Sequence, residues 1–348
     1  YAVRSGDCTA PVELTVVEEI AAGAVPRKTV GPGEAARIFT GAAMPDGADA
    51  VVMQERTEAL PENRVRVGDT ALSPGRNIIP RGGEMTAGQT VLAVGDVLTP
   101  QAFGLLAAVG RVAAKLVPKP RVGVLATGNE LVPAGAEPDL GQIRNSNGPM
   151  LLALVQRAGG IPTDFGIAPD DPLKMRSAIQ LGLERSDVLV LTGGVSVGTY
   201  DLVPGVLADL DVRAHFHKVR MKPGKPLLFG TRGEKLVFGL PGNPVSSFAC
   251  FELFVRPAIR AMAGHRDPGP TTTRLPLAEP LTANHDRPTF HPGVIEYRRA
   301  GVSVRPLAWG GSADLRSATM ATALIVLPPS PVSLAAGEPV ETVVDGLV

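Results

Sequence analysis

The chain has 348 residues, 44% of them hydrophobic, and its 34 Lys plus Arg balance 34 Asp plus Glu to a formal net charge of zero. That length allows two or three domains with sizeable cores, and the neutral balance argues against a nucleic-acid partner or a polybasic membrane surface. Two distant cysteines (Cys8 and Cys250) with no CxxC fit a reduced, cytoplasmic compartment, and no apolar run approaches the roughly 18 residues that span a bilayer. The chain opens at Tyr1-Ala2-Val3-Arg4 with neither an initiator methionine nor a signal peptide, which reads as a fragment whose beginning is missing.

Residues 11–96 are short β-like segments broken by glycine and proline, clearest at Leu14–Ile20, Ala50–Met53 and Val65–Val67, and predict a small β domain. Residues 97–119 hold one short helix, Gln101–Val109, and an exit strand running to Pro118 and Pro120. With residues 1–10 they are set apart as the remnant of a linker or helical domain. From 120 to 266 strands and helices alternate, which predicts a doubly wound α/β domain with a parallel sheet covered on both faces. Its strands are Arg121–Ala126, Ile161–Ile167, Val188–Leu191 and Val212–Val219, followed by a late hairpin of Pro226–Phe229 with Lys235–Leu240. One helix opens at Asn147-Gly148-Pro149 and ends at Ala158, with Gly159 as C-cap. A second starts at Asp171-Pro172, with Met175, Ile179 and Leu183 on one face. A third starts at Asn243-Pro244 and runs to about Met262, with a kink predicted at Pro257. Residues 267–348 return to β patterning, with a strand at Ala323–Leu327, and form a second small β domain.

The stretch Asp187–Gly198, DVLVLTGGVSVG, is the most informative: a buried strand empties into Thr192-Gly193-Gly194, then Ser196, Gly198 and Asp201 precede a helix. A strand, glycine turn and helix start aim backbone N–H groups at one spot suited to an anion. The turn is neither GxxxxGK[ST] nor GxGxxG. Ligands of open parallel sheets bind outside the carboxyl ends of the strands. There the chain gathers Glu130, Asp170, Asp171, Asp201, the glycine turn and Met221–Pro226, with Lys222 and Lys225. Carboxylates together with phosphates are how Mg²⁺ is usually held, and lysines on a proline-stiffened loop neutralise oxyanions. Asp171 and Asp201 also fit as helix caps, and Lys222 and Lys225 as solvated charges whose removal barely moves the melting temperature. Leu240-Pro241-Gly242-Asn243-Pro244 is a rigid loop that positions backbone groups. His215 and His217, at i and i+2 on a strand, lack an evident third ligand and are read as packing residues.

TGGVSVG, MKPGKP and LPGNPVS, in this order, resemble the molybdopterin molybdenumtransferases, the bacterial MoeA proteins and the E domain of gephyrin. Arg37–Gly41 with Val51–Glu55 is similar to that family's RIxTGAxxPxGxDAVVxxE stretch, and the likeness covers essentially the whole chain. The resemblance implies an elongated homodimer that uses Mg²⁺ to cleave adenylylated molybdopterin, inserts molybdate at the dithiolene and releases AMP. It implies catalytic roles for Asp201, Lys222, Lys225 and Glu130. Substrate binding falls to Thr40, Glu55, Thr192, Gly193, Gly194, Ser196, Gly198, Pro226, Pro241, Gly242, Asn243, Pro244 and Ser312. Metal binding falls to Asp201, Asp170, Asp171 and Glu84. Thr40 and Glu55 would face the partner's cleft, and a molybdopterin adenylyltransferase is a candidate partner. Departures from the pattern are Gly83 and Glu84 in place of Glu and Asp, Asn129 and Asn145 in place of frequent aspartates, and Pro292 near an expected arginine for which Arg287 or Arg298 is a substitute. The family's SAMDG, which would precede Tyr1, lies outside this sequence. Alternatives are an adenylyltransferase or nucleotide pyrophosphatase on the same central fold, which would not need the outer β domains, and a molybdopterin-binding scaffold without turnover.

Overall fold

The structure is a computed structural model that describes residues 1–69, 72–195, 202–299 and 301–344. The chain divides into two units, Tyr1–Val91 and Leu92–Val348. In the first, β1 (Ala2–Val3), β2 (Val12–Ile20), β3 (Glu34–Ile38), β4 (Ala50–Val51), β5 (Thr57–Leu60) and β6 (Arg64–Val67) form one sheet in the order β4-β1-β3-β2-β6-β5. The sequence reading sets residues 1–10 apart, whereas Ala2 and Val3 pair with Ala36 and Ala35 on one side and with Val51 and Ala50 on the other. Alternation of side chains along a strand explains it: Val3 enters a core with Leu14, Val52 and Val65, and Ala2 one with Ile20 and Val30 on the opposite face.

The second unit begins with α1 (Pro100–Ala108), capped by Thr99, whose hydroxyl accepts from Ala102 N–H. The exit strand expected after it is absent, since residues 111–120 pair with no strand. The α/β part then runs β7 (Arg121–Thr127), β8 (Leu131–Val132), β9 (Ile143–Arg144), α2 (Asn147–Arg157), β10 (Ile161–Ala168), α3 (Pro172–Arg185), β11 (Val188–Thr192), α4 (Val203–Asp209), β12 (Arg213–His217), β13 (Leu228–Arg232) and β14 (Lys235–Leu240). It closes with α5 (Pro244–Cys250), a π-helical turn (Phe251–Val255) and α6 (Arg256–Met262). The main sheet has the order β10-β7-β11-β14-β13-β12. Its first four strands are parallel, as the alternation predicts, and β13 alone runs against them. The carboxyl ends of β7, β10, β11, β12 and β14 therefore share one edge.

Both faces of this sheet are packed at its centre, which is why β11 is apolar without interruption. Val188 and Val190 pack with α2, α5 and α6, while Leu189 and Leu191 pack with α3 and α4. Met175, Ile179 and Leu183 are fully buried on α3, as their spacing predicts, and each contributes about 1.5–3 kcal/mol by leaving water. Asp171 caps that helix by accepting from Leu173 and Lys174 N–H. The kink predicted at Pro257 takes the form of the π-helical turn just before it: proline offers no N–H to the preceding turn, and the turn widens.

The remaining strands are β15 (Thr272–Pro276), β16 (Leu281–Ala283), β17 (Thr289–Arg298), β18 (Gly301–Pro306), β19 (Ala323–Leu327), β20 (Val332–Leu334) and β21 (Pro339–Val343), with α7 (Leu315–Met320) between β18 and β19. They build an antiparallel sheet β15-β21-β19-β17-β18 and a two-stranded β16-β20 pair. Leu324 and Val343 join the core of α5 and α6, so this sheet is anchored on the α/β part.

Candidate active site

At the carboxyl edge of the main sheet lies a cleft of about 610 Å³. It is lined by Thr192, Gly193 and Gly194 after β11, by Glu130 after β7, by Pro226, by Pro241–Pro244 after β14, and by the start of α2. Residues from four separate sequence motifs thus meet in one place, and most of the predicted substrate-binding set of this unit lies on its wall.

The glycine turn is as tight as its sequence implies. Gly193 has φ +93°, and a Cβ there would lie 2.4 Å from the Thr127 carbonyl oxygen. Gly193 N–H donates to Leu240 O at 3.1 Å, so this donor closes the sheet and is not offered to an anion. Thr192 is likewise turned inward and is 1% exposed. Its hydroxyl lies 3.2 Å from both Pro241 O and Ser247 Oγ, and it accepts from Asn147 Nδ2 at 2.9 Å. Its position lines the cleft, but its hydroxyl is spent on the loop that forms the opposite wall. Ser196, Gly198 and Asp201 lie outside the described residues.

Asn147 is a residue that the sequence reading assigned only to a helix start. Asn145 Oδ1 caps α2 by accepting from Gly148 N–H, which leaves Asn147 to bridge. Its amide donates to Gly242 O at 2.7 Å as well as to Thr192, tying α2, β11 and the proline loop together. Asn243 stands at the N-cap of α5 but makes no capping bond with its side chain. Instead its Nδ2 donates to Ser312 Oγ at 2.9 Å, and Val245 N–H donates to Ser312 O at 3.0 Å. The Gly310-Gly311-Ser312 loop is so seated on the proline loop.

The loop after β12 is pinned to the same C-terminal domain. Lys222 N–H donates to Pro288 O, and Phe290 N–H donates to Lys222 O. Lys222 Nζ lies 3.0 Å from His285 Nδ1 and 5.9 Å from the centroid of Trp309. Trp309 Nε1 donates to Gly311 O at 2.6 Å. Burial, and next the Lys222 ammonium, push the His285 imidazole below its ordinary value, against the pull of Asp286. Burial also lowers His291, whose ring meets Trp309 edge-on. Lys225 is exposed; its charge acts on Asp286, and its side chain makes no hydrogen bond or ion pair among the described residues. His285 and Trp309 escaped the sequence reading, although the chain's one tryptophan directly precedes Gly310-Gly311-Ser312.

The carboxylates divide. Glu130 is exposed on the cleft wall, and its carboxylate has no hydrogen-bond or ion-pair partner among the described residues. Asp170 is locked to Asn129, each accepting from the other's backbone N–H at 3.0–3.1 Å, and Asp171 is the α3 cap; neither lines the cleft. Among the described residues, three or more His, Cys, Asp or Glu nowhere gather as a metal-holding group. His215 bonds Thr231 Oγ1 and stacks on Phe229, and His217 bonds Val195 O, as packing residues do. Pro292 is buried in β17; Arg287 pairs with Asp286 and Arg298 with Glu296. In the first unit, Thr40 and Glu55 share a concave surface of about 1070 Å³ with Arg37 and Arg81. Glu84 is not among its lining residues.

The fold and this edge site define a molybdopterin-binding α/β domain: residues 123–261 match the family described as a probable molybdopterin binding domain. Residues 1–110 match the MoeA N-terminal region, domains I and II, and residues 274–344 match the MoeA C-terminal region, domain IV. The chain is 35% identical over 352 aligned residues to the molybdopterin molybdenumtransferase of Staphylococcus aureus strain MRSA252, covering 99% of this chain and 83% of that protein. It is 34% identical to that of Bacillus subtilis strain 168, covering 94% and 78%. The crystal structure of the molybdopterin biosynthesis MoeA protein of Pyrococcus horikoshii OT3 superposes with a TM-score of 0.80 at 30% identity, covering 99% and 85%. The chain belongs to the molybdopterin molybdenumtransferase family.

Proposed function

We propose that this chain, a transferase of molybdenum cofactor biosynthesis, inserts molybdate into adenylylated molybdopterin with Mg²⁺ and releases AMP. The observation that carries the reading is the meeting of the glycine turn and the Pro241–Pro244 loop around one cleft, with Ser312 bonded to that loop and the Lys222–Pro226 loop fixed beside it.

The pterin nucleotide lies against the Thr192–Gly194 turn and the proline loop, whose walls are already fixed by Asn147, so little entropy is lost in forming them. Lys222 and Lys225 neutralise molybdate and phosphate oxygens, and Ser312 adds a hydroxyl. Mg²⁺ when bound neutralises charge developing on the phosphoanhydride. The donor chemistry fits it: such ions use one or two carboxylates plus substrate phosphates, and Glu130 is a carboxylate on the cleft wall without a partner among the described residues. Asp201 is the second carboxylate that the family pattern supplies. Asp170 and Asp171 serve instead as a loop lock and a helix cap.

A homodimer belongs to this reading. Val97, Phe103, Val112 and Leu116 are large apolar residues left exposed at 60% or more, and a second copy is the natural cover for them. In that dimer the surface of Thr40 and Glu55 serves the partner's cleft. Cytoplasmic placement fits the two free, buried cysteines, and no helix among the described residues is long and apolar enough to cross a membrane. The enzyme that adenylylates molybdopterin is the partner that delivers substrate. The test is incubation with adenylylated molybdopterin, Mg²⁺ and molybdate. AMP release that requires both ions is expected, and no release, or release unaffected by withholding molybdate, overturns the reading.

A further inference from the structure

We propose that His285 is the positioning residue for Lys222: its neutral imidazole accepts a hydrogen bond from the ammonium and holds it, against the face of Trp309, where the oxyanion is met. The proposal rests on the reading of Lys222 as an oxyanion-binding group and adds the means by which its charge is placed.

A lysine is a point charge on a stem with many rotamers, and an unrestrained one loses that freedom each time it grips a ligand. Lys222 is restrained at three levels. Its backbone is held on both sides by Pro288 and Phe290. Its Nζ is 3.0 Å from His285 Nδ1. The ring it faces is itself fixed, because Trp309 Nε1 is bonded to Gly311 O at 2.6 Å. One of the three ammonium N–H groups is therefore committed to the imidazole, and the others remain for a ligand. The same ring bonds the Gly310-Gly311-Ser312 loop, so the charge and the Ser312 hydroxyl are positioned from one rigid piece. Lys225, three residues on, has no such support.

The pairing requires an unprotonated Nδ1. Facing His285 are Lys222, His291 on β17, and its neighbours Asp286 and Arg287; Lys225 acts on Asp286. Burial and the Lys222 charge both disfavour a proton on His285, so the imidazole is neutral at pH 7. When it takes a proton at lower pH, the acceptor is lost, two cations stand side by side, and Lys222 leaves its place.

The experiment measures AMP release against molybdate concentration for the intact chain, His285→Leu, His285→Asn and Lys222→Ala, from about pH 5.5 to 8, the range in which histidine titrates. His285→Leu is expected to raise the half-saturating molybdate concentration on the order of tenfold. His285→Asn, which keeps an oxygen acceptor, is expected to restore most of that loss. The half-saturating concentration of the unmodified chain should climb as pH falls, while that of His285→Asn stays level. As a readout independent of turnover, the His285 imidazole followed by NMR should titrate at higher pH in Lys222→Ala. If Lys222→Ala weakens molybdate dependence but His285→Leu does not, or if the imidazole titration is unmoved, the positioning role is overturned. If Lys222→Ala leaves molybdate dependence intact, the reading of Lys222 itself fails.

Discussion

Asn147 Nδ2 lies 2.7 Å from the carbonyl oxygen of Gly242, and that bond joins the first turn of α2 to the middle of the proline-stiffened loop. A carbonyl only accepts, so the amide must present its nitrogen there, and its second N–H is free to reach Thr192 Oγ1. Asn147→Ala removes the donor to Gly242 O and one bond of the Thr192 hydroxyl, which keeps Pro241 O and Ser247 Oγ. Thermal unfolding should show a loss of about 1–3 kcal/mol, the cost of unmade buried bonds. Asn147→Asp should be worse near neutral pH, because a carboxylate then faces a carbonyl oxygen.

Glu130→Gln should leave the melting temperature unchanged, since the carboxylate is exposed and partners nothing among the described residues. In the AMP-release assay it should raise the Mg²⁺ concentration needed for half-maximal rate on the order of tenfold, as expected for losing one charge-assisted contact. An unchanged Mg²⁺ dependence would remove Glu130 from the metal site.

The sequence was most legible where burial is complete. Val188–Leu191 is apolar on both faces because both faces are packed, and Asp171-Pro172 carries its own cap and first turn. The convergence of glycine turn, proline loop and Ser312 was legible as motifs. The direction of each side chain was not: the resemblance gives Thr192 to substrate, while in the structure its hydroxyl points inward. Asn147, His285 and Trp309 act across 45 to 95 residues of chain, through contacts that carry no local periodicity. Ala2–Val3 is too short to show an alternation, and its role depends on strands that come later in the sequence. The apolar residues after α1 were read as a strand because nothing in their composition shows that no strand lies beside them.

Arg121 and Asp187 fasten the start of β7 to the approach to β11, with Nη2 to Oδ1 at 2.8 Å and Arg121 N–H to Oδ2 at 2.8 Å. The Arg121 side-chain bond holds the Asp187 carboxyl below its ordinary 3.8. A depressed folded-state pKa gives stability that is present above the unfolded value and lost as pH falls through the folded one. Asp187→Asn should therefore lower stability at neutral pH, and its difference from the unmodified chain should shrink once pH drops below 3.8. A difference that is constant across that window would mean the charge plays no part.

Cys250 lies beneath the Lys222–Pro226 loop, its thiol donating to Gly224 O at 3.5 Å. Burial pushes the thiol up to about 12, so the reactive thiolate is absent in the folded chain. Iodoacetamide at about pH 8, near the ordinary thiol value, should leave Cys250 unmodified until denaturant is added, as read by mass spectrometry. Rapid labelling of the native chain would show that the loop opens.

The two lysines of that loop, alike in sequence, should part in stability. Both are flanked by proline or glycine, and from that alone neither removal should move the melting temperature. For Lys225 the structure agrees, since its side chain is exposed and makes no hydrogen bond or ion pair among the described residues, and Lys225→Ala should unfold with the unmodified chain. Lys222 is bonded to His285 and laid against Trp309. Lys222→Ala should lose about 1–2 kcal/mol, the sum of a modest hydrogen bond and a cation–aromatic contact. Lys222→Met, which keeps the apolar stem, should recover part of it. Turnover should fall for both alanine variants by ten- to a hundredfold, the scale of about 1.5–3 kcal/mol for a charge-assisted contact. Differential scanning calorimetry beside the AMP assay separates the two effects. Equal melting temperatures for Lys222→Ala and Lys225→Ala would show that the His285 and Trp309 contacts carry no stability. Unchanged turnover in both would leave the loop a structural connection and nothing more.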